Sequence, residues 1–185
     1  MKKVFILNGT GTSGKGAFVD YINRYIPAYK YSIVDLPKQA AKVLGWDGGK
    51  TEKDRKFLSD IMDLATEYND APFRDVFSLV TDFKNNKEFA DVEVLIVDMR
   101  DPKDIDRAVE TFGAETILIR NPNVKKIESN HADRDVENYT YDCIIENDGT
   151  IDQLDKVAKL FVCEVVCGGH IPDKNKPLVL TCSEY

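Results

Sequence analysis

The sequence has no long hydrophobic run, few cysteines and no excess of positive charge. None of its apolar runs approaches the ~20 residues that a membrane-spanning helix needs. Four cysteines in 185 residues do not suggest a disulfide framework. The net charge of −7 argues against the basic face that binding to a nucleic-acid backbone requires. We therefore expect a cytoplasmic protein with no nucleic-acid or membrane partner.

Two other familiar signals are incomplete. The start MKKVFILNGTG faintly imitates a signal peptide, but its apolar run, Val4 to Leu7, is shorter than the ~7–15 residues of such a segment, so we interpret it as a first buried strand. Cys163, Cys167 and His170 have the spacing C-x3-C-x2-H, yet three ligands without a fourth nearby make a poor structural zinc site. We interpret FVCEVVC as a buried strand followed by a glycine turn.

What the sequence does contain is an alternation of short apolar runs with helix-like segments, which is typical of a parallel sheet in an α/β domain. The length suits a single domain over residues 1–185. The strands are predicted at 3–7, 31–34, 92–97, 116–119 and 141–145, with PLVLTC near the end as a further candidate. The helices are predicted at 14–25, 36–44, 51–70, 72–83, 102–112 and 151–161.

The stretch GTGTSGKGA follows the first strand and precedes a helix, which is the context of a phosphate-binding loop, G-x-x-x-x-G-K-[S/T]. Glycines let the chain wrap closely, so that backbone N–H groups and the helix N-terminus point at phosphate oxygens. Lys15 then bridges the β- and γ-phosphates of a nucleotide. We call this stretch the phosphate loop and expect these members to bind ATP: Gly9, Gly11, Thr12, Ser13, Gly14, Lys15, Gly16 and Ala17.

The phosphate loop lacks the hydroxyl that usually follows the lysine and ligates Mg²⁺, because Gly16 and Ala17 stand there. Three interpretations remain open. A hydroxyl from Thr10, Thr12 or Ser13 replaces the missing one. Alternatively, water, phosphates and an acid hold the metal. In the third interpretation the site binds nucleotide without transferring a phosphoryl group.

An acid and an arginine follow the central apolar strand in VLIVDMRDP. Asp98 fills the place of the metal-supporting carboxylate in phosphate-loop proteins. Arg100 follows two residues later, at the strand ends where ligands bind in open α/β sheets. We expect Asp98 to support Mg²⁺ and Arg100 to act in catalysis and acceptor binding.

Three further segments carry candidate site residues. In the region 36–86 and just before it, Asp35, Lys38 and Arg74 are candidates for binding a phosphorylated acceptor. The polar stretch 120–138 is long for a connection, which favours a lid whose Arg134 stabilises the transferring phosphoryl group. The loop after the fifth strand places Asn147 where it can hold a nucleotide base.

Together, NGTGTSGKG, VDMRD, SNHADRD and YDCIIENDGTIDQL resemble the deoxynucleoside monophosphate kinase family, and more loosely the dephospho-coenzyme A kinases. The resemblance covers roughly residues 1–162 and leaves the extension 163–185 outside it. It implies transfer of the γ-phosphoryl group of ATP to a monophosphate with Mg²⁺. It places Lys15 on the β/γ-phosphates, Asp98 at the metal, Arg100 on the acceptor, Arg134 on the transferring group and Asn147 at the adenine edge.

The fold that we expect from this resemblance is a three-layer α/β fold of the P-loop NTPase type. Its five-stranded parallel sheet has the order 2-3-1-4-5, with helices on both faces. The function is then an ATP-dependent phosphotransferase acting on a small phosphorylated acceptor, with a homodimer as a candidate assembly. The alternatives are a non-catalytic nucleotide-binding protein, which Ala17 favours, and a kinase of a non-nucleotide metabolite such as dephospho-coenzyme A.

Overall fold

Six parallel strands form one sheet in the order β2-β3-β1-β4-β5-β6 in the computed structural model, which describes residues 2–124, 136–168 and 176–185. The strands are β1 (Lys3–Asn8), β2 (Ala28–Ser32), β3 (Val94–Asp98), β4 (Glu115–Arg120), β5 (Cys143–Glu146) and β6 (Leu178–Thr181). The predicted order of the first five strands is confirmed. The predicted count of five is wrong, because β6 pairs in parallel with β5 and extends the sheet.

Six α-helices complete the layers in the described part of the chain. They are α1 (Lys15–Tyr25), α2 (Asp35–Val43), α3 (Glu52–Asn69), α4 (Ala71–Asn85), α5 (Pro102–Phe112) and α6 (Ile151–Phe161). One apolar core joins α1 and α6 to the sheet, and a second joins α4 and α5 to the opposite face. Helices therefore cover both faces of the sheet, as the sequence predicts. None of the described helices is both long enough and apolar enough to cross a membrane.

Two local predictions differ from the structure. Strand β2 begins at Ala28 rather than Tyr31, because pairing with β3 starts directly after Pro27, whose carbonyl accepts the Glu93 and Val94 amides. The predicted strand FVCEVVC is wrong: α6 continues as a π-helical turn over Val162–Cys167. Val162 and Val165 are buried three residues apart, a spacing that lets one helical face reach the core.

Helix α3 is well capped but poorly covered. Thr51 and Asp54 form a reciprocal capping box at its start, as expected from the sequence position of Thr51. None of its residues is buried, and Leu64 and Tyr68 of its predicted apolar face are 68% and 83% exposed. This helix therefore owes little of its stability to core packing.

Candidate functional site

The phosphate loop leaves the C-terminal end of β1 and turns sharply into α1. Its backbone has positive φ at Gly9, Thr12 and Gly14 (148°, 66° and 104°), and Gly14 is the N-cap of α1. A Cβ atom at Gly14 would overlap the amide nitrogen of Asn147, and one at Gly9 would overlap the Ile119 carbonyl oxygen. The two glycines are thus required by contacts as well as by dihedral angles. The N–H groups at the start of α1 lack partners within the helix and face this loop, which suits an anion.

Lys15 folds back into the loop that precedes it. Its Nζ donates to the carbonyl oxygens of Gly9 and of Thr10, the latter at 3.2 Å, and the residue is only 9% exposed. A buried ammonium needs such compensation. An ionised phosphate oxygen is a stronger acceptor than a carbonyl, so the geometry is suited to exchanging these contacts for a phosphate.

The Ser13 hydroxyl provides an independent test of whether a phosphate fits. Ser13 is 1% exposed, and its Oγ has no hydrogen-bond partner among the described residues. It faces the start of the loop, 2.8 Å from the position that a Cβ would take at Gly9. The Thr12 hydroxyl, by contrast, donates to the Gly11 carbonyl at 2.5 Å. Because unpaired buried hydroxyls are rare, Ser13 fits a donor to a bound phosphate group.

Asp98 lies beside the phosphate loop, as the sequence predicts. It is the last residue of β3 and pairs in register with Leu7 of β1 and Ser32 of β2. Its carboxylate makes no hydrogen bond or ion pair within the described residues, and its side chain is half-buried. Arg100 is brought to the same place, because its carbonyl oxygen accepts from the Asn8 side chain at 3.4 Å.

The protein ligands available for Mg²⁺ are few. In the described residues, no group of three or more His, Cys, Asp or Glu side chains could hold a metal ion. Gly16 and Ala17 are exposed and carry no oxygen in their side chains. Mg²⁺ is commonly held by one or two carboxylates, with phosphates and waters completing the shell. Asp98 is therefore a candidate protein ligand of a nucleotide-bound Mg²⁺, alongside the hydroxyls of Thr10, Thr12 and Ser13 in the phosphate loop.

The predicted acceptor residues lie around the ends of β2 and the helices that follow. Asp35 accepts from the Ser32 amide at 3.0 Å and forms an ion pair with Lys38 at 2.9 Å. Arg74 is exposed on α4, and its guanidinium has no hydrogen-bond or ion-pair partner in the described ranges. Lys38 is therefore partly neutralised by its neighbour, whereas the Arg74 charge is available to a ligand.

Residues 125–135, which carry Arg134, lie outside the described residues, so the role of Arg134 stays a prediction. The beginning of the predicted lid is described: Arg120 at the end of β4 forms a two-pronged ion pair with Glu146 at the end of β5. This pair raises the pKa of the Arg120 guanidinium.

A cavity of about 320 Å³ lies next to this ion pair, and it was not predicted from the sequence. Its lining comes from the phosphate loop, the end of β4 and the described parts of the predicted lid: Thr10, Leu118, Ile119, Arg120, Asn121, Pro122, Val124, Val136 and Glu137. Its volume is at the small end of the range for ligand pockets. The cavity therefore adjoins the loop that is suited to phosphate.

Asn147 contacts the phosphate loop directly. Its Nδ2 donates to the Ser13 carbonyl at 2.9 Å. The next residue, Asp148, accepts from both the amide and the hydroxyl of Ser183 in the tail, and these hydrogen bonds lower the pKa of Asp148. The tail therefore helps to hold the Asn147 loop. The predicted role of Asn147 in base binding remains a prediction.

Sequence reasoning missed a charged cluster between α4 and α5. Arg107 of α5 pairs with Asp70 and Asp104, and its guanidinium lies 3.8 Å from the centroid of the Phe73 ring. Asp70, between α3 and α4, adopts a left-handed conformation with φ 57°. The sequence signal was weak, because one arginine on a charged helix is usually solvated. The cluster joins α4 to α5.

Comparisons with known proteins give fold-level similarity only. The chain matches no protein-family model and no curated protein sequence. Among solved structures it is similar to a sugar kinase from Janibacter sp. HTCC2649 (TM-score 0.47, 10% identity, 90% of this chain and 98% of that one) and to shikimate kinase from Aquifex aeolicus vf5 (TM-score 0.47, 16% identity, 90% and 99%). It is also similar to a putative kinase from Chloroflexus aurantiacus j-10-fl (TM-score 0.40, 11% identity, 97% and 84%).

These similarities are remote, so the fold follows from this chain's own strand order and from the position of the phosphate loop after β1. Both agree with the predicted three-layer α/β fold. The resemblance to the deoxynucleoside monophosphate kinase family stays a prediction.

Proposed function

We propose that this protein is an ATP-dependent phosphotransferase that moves the γ-phosphoryl group to a small phosphorylated acceptor. The observation that carries the proposal is the phosphate loop, in which Lys15 and the unpaired Ser13 hydroxyl lie buried beside the start of α1. Phosphoryl transfer depends on positioning and charge stabilisation rather than on covalent chemistry by the protein. A loop of glycines, a lysine, an acid and arginines supplies those functions.

Each residue then has a definite task. Lys15 and Ser13 bind the phosphates of ATP, and the N-terminus of α1 adds its backbone N–H groups. Asp98 ligates Mg²⁺, which when bound neutralises charge on the phosphates. Arg100 and Arg74 orient the acceptor phosphate, and Arg134 stabilises the transferring group.

We propose a nucleoside or deoxynucleoside monophosphate as the acceptor, on the resemblance of the sequence motifs to that kinase family. The exposed Arg74 supports an anionic acceptor, because its charge has no partner on the described protein surface. The same charge suits other phosphorylated acceptors, including coenzyme precursors. The acceptor is therefore best identified by direct screening.

A second candidate function is nucleotide binding without transfer. Gly16 and Ala17 supply no side-chain oxygen after Lys15, and the described residues hold no group of three or more His, Cys, Asp or Glu side chains for a metal ion. In this case ATP and ADP bind with little dependence on Mg²⁺, and no phosphoryl group moves.

The deciding experiment is a coupled assay of ADP release with Mg-ATP against all common nucleoside and deoxynucleoside monophosphates and dephospho-coenzyme A. Lys15→Ala serves as the inactive control. Turnover with one acceptor, lost in the control, supports the kinase and identifies its substrate. Binding of ATP that Lys15→Ala weakens, without turnover of any acceptor, supports the second candidate. Absence of ATP binding by the unmodified protein rules out both.

A further inference from the structure

Asn8 is a buried polar residue at the end of β1, after four apolar residues and immediately before the phosphate loop. It is 0% exposed. Its Oδ1 accepts from the Gly9 amide at 2.7 Å, and its Nδ2 donates to the Tyr141 hydroxyl at 2.8 Å and to the Arg100 carbonyl at 3.4 Å. One side chain therefore joins the first residue of the phosphate loop to the segment after β3 and to Tyr141.

Tyr141 continues this chain of hydrogen bonds away from the loop. Its ring is 2% exposed and packs with Leu118 and Val136. Its hydroxyl accepts from Asn8 and donates to the Val136 carbonyl at 2.8 Å. Burial raises the pKa of Tyr141, so the hydroxyl keeps its proton and remains a donor at physiological pH. Val136 is part of the cavity lining, as is Thr10 of the phosphate loop.

We propose that Asn8 and Tyr141 are positioning residues that hold the phosphate loop and the Val136 wall of the adjacent cavity in a fixed relation. The inference rests on the proposed nucleotide-binding function, and it adds two residues that contact no phosphate themselves. Three consecutive hydrogen bonds, from Gly9 through Asn8 and Tyr141 to Val136, connect the two sides of the cavity.

The physical basis is the cost of leaving buried polar groups unpaired. If the tyrosine hydroxyl is removed, Asn8 Nδ2 keeps only its longer contact to Arg100, and the Val136 carbonyl loses this donor. Both groups then lower their free energy by shifting toward other hydrogen-bond partners. Because the Gly9 amide is bonded to the same Asn8 side chain, a shift of Asn8 moves the start of the loop. Nucleotide affinity then falls without any change in a phosphate-binding residue.

The test compares Tyr141→Phe with Tyr139→Phe. The two rings are neighbours with centroids 5.0 Å apart, but the Tyr139 hydroxyl donates to Asp106 rather than to Asn8. We expect Tyr141→Phe to weaken ATP binding about fivefold in calorimetric titration, as for loss of one buried hydrogen bond. Tyr139→Phe should leave it within about twofold, inside the usual range of a surface substitution. The double variant Asn8→Ala with Tyr141→Phe should bind no more weakly than Asn8→Ala alone.

Amide hydrogen exchange gives a second measurement that requires no nucleotide. The Gly9 amide should exchange faster in Tyr141→Phe than in the unmodified protein. Its exchange rate should be the same in Tyr139→Phe as in the unmodified protein. The inference is overturned if the Gly9 exchange rate is unchanged in Tyr141→Phe. It is also overturned if Tyr141→Phe lowers ATP affinity no more than Tyr139→Phe does. Either result leaves the proposed function standing. Failure of the unmodified protein to bind ATP would overturn the proposed function and, with it, the inference.

Discussion

Two regions of the molecule differ in how firmly their polar groups are held. The phosphate loop with Asn8 and Asn147 is called the nucleotide half, and helices α2 to α5 are called the acceptor half, each after its proposed ligand. On the nucleotide half, Asn8, Lys15 and Asn147 each hydrogen-bond to the backbone of the phosphate loop. On the acceptor half, α3 buries none of its residues, and Arg74 is exposed without a side-chain partner in the described structure.

This difference indicates two ways of building a binding site. A loop whose groups are fixed beforehand loses little conformational entropy when its ligand binds. An exposed arginine has its geometry set by the ligand, so it gives charge recognition with less steric selection. We therefore expect substitutions on the nucleotide half to affect binding through structure, and substitutions on the acceptor half to affect it through charge.

The largest effect that would test this comparison is expected from Gly14→Ala, with Gly45→Ala as the matched control. Both glycines have positive φ (104° and 96°), but a Cβ at Gly45 meets nothing within 4 Å, whereas one at Gly14 overlaps Asn147. The backbone strain should lower the stability of both variants by about 1–3 kcal/mol. ATP affinity should fall about 100-fold in Gly14→Ala alone, since small misplacements of site groups cost that much. Denaturant unfolding and ATP titration measure the two quantities, and equal affinities in the two variants would contradict the prediction.

The next largest effect is expected on acceptor turnover, where Arg74 should have a binding role and Arg107 a structural one. Arg74→Ala should reduce kcat/KM for the acceptor about 10- to 100-fold, the loss expected for one charge-assisted hydrogen bond, with the thermal midpoint unchanged. Arg107→Ala should instead lower stability by about 1 kcal/mol, because Arg107 contacts the Phe73 ring, the partly exposed Asp70 and the mostly buried Asp104. Steady-state kinetics and thermal unfolding distinguish the two roles. A stability loss in Arg74→Ala would show that this residue has a structural role.

A smaller effect is expected from Asn147→Ala, with Asn85→Ala as its control in the acceptor half. Asn147 donates to the Ser13 carbonyl and Asn85 to the Thr81 carbonyl, each at 2.9 Å. Loss of the first bond should weaken ATP binding about fivefold, whereas loss of the second should leave it unchanged. If Asn147 also contacts the base, the loss should be greater for ATP than for inorganic triphosphate. Titration with both ligands therefore separates positioning of the loop from recognition of the base.

The nucleotide half was largely predictable from the sequence, because the information that specifies it is local. The spacing of Gly9, Gly14 and Lys15 between a strand and a helix predicts the loop without any distant contact. The strand order of the first five strands, expected from the family resemblance, was also confirmed. Asn8 was overlooked since its partner Tyr141 lies 133 residues away in sequence.

The acceptor half and the tail were predicted less well for two physical reasons. An apolar stripe on α3 predicts a covered face, but Leu64 and Tyr68 of that face are exposed. An amphipathic pattern predicts a helix and its apolar face, and it does not identify the element that packs on that face. The run FVCEVVC is rich in β-branched residues, yet it continues a helix because Val162 and Val165 reach the core at helical spacing. Tertiary packing therefore overrides local propensity in the FVCEVVC run.

The smallest effect, and the last test of the charged acceptor half, is the pH dependence of Asp104→Asn. Burial raises the pKa of Asp104 above its ordinary value of 3.8, and the neighbouring Asp101 adds to the shift while Arg107 opposes it. The folded state therefore binds this proton more tightly than the unfolded state. The resulting stability is fully present below pH 3.8 and is lost as the pH rises through the folded-state pKa. Asp104→Asn should consequently gain stability relative to the unmodified protein as the pH rises, by at most about 2–4 °C in Tm at neutral pH.

Asp54→Asn is the control with the opposite sign. Its hydrogen bonds to Thr51 lower the pKa of Asp54. The contribution of Asp54 to folding stability is therefore present above its ordinary pKa of 3.8, and it is lost as the pH falls through the folded-state pKa. Replacing Asp54 should therefore reduce Tm at neutral pH and have less effect in acid. Thermal unfolding of both variants between acidic and neutral pH measures these slopes. A lower Tm for Asp104→Asn at neutral pH would mean that attraction to Arg107 outweighs burial, and that this part of the acceptor half is electrostatically as well satisfied as the phosphate loop.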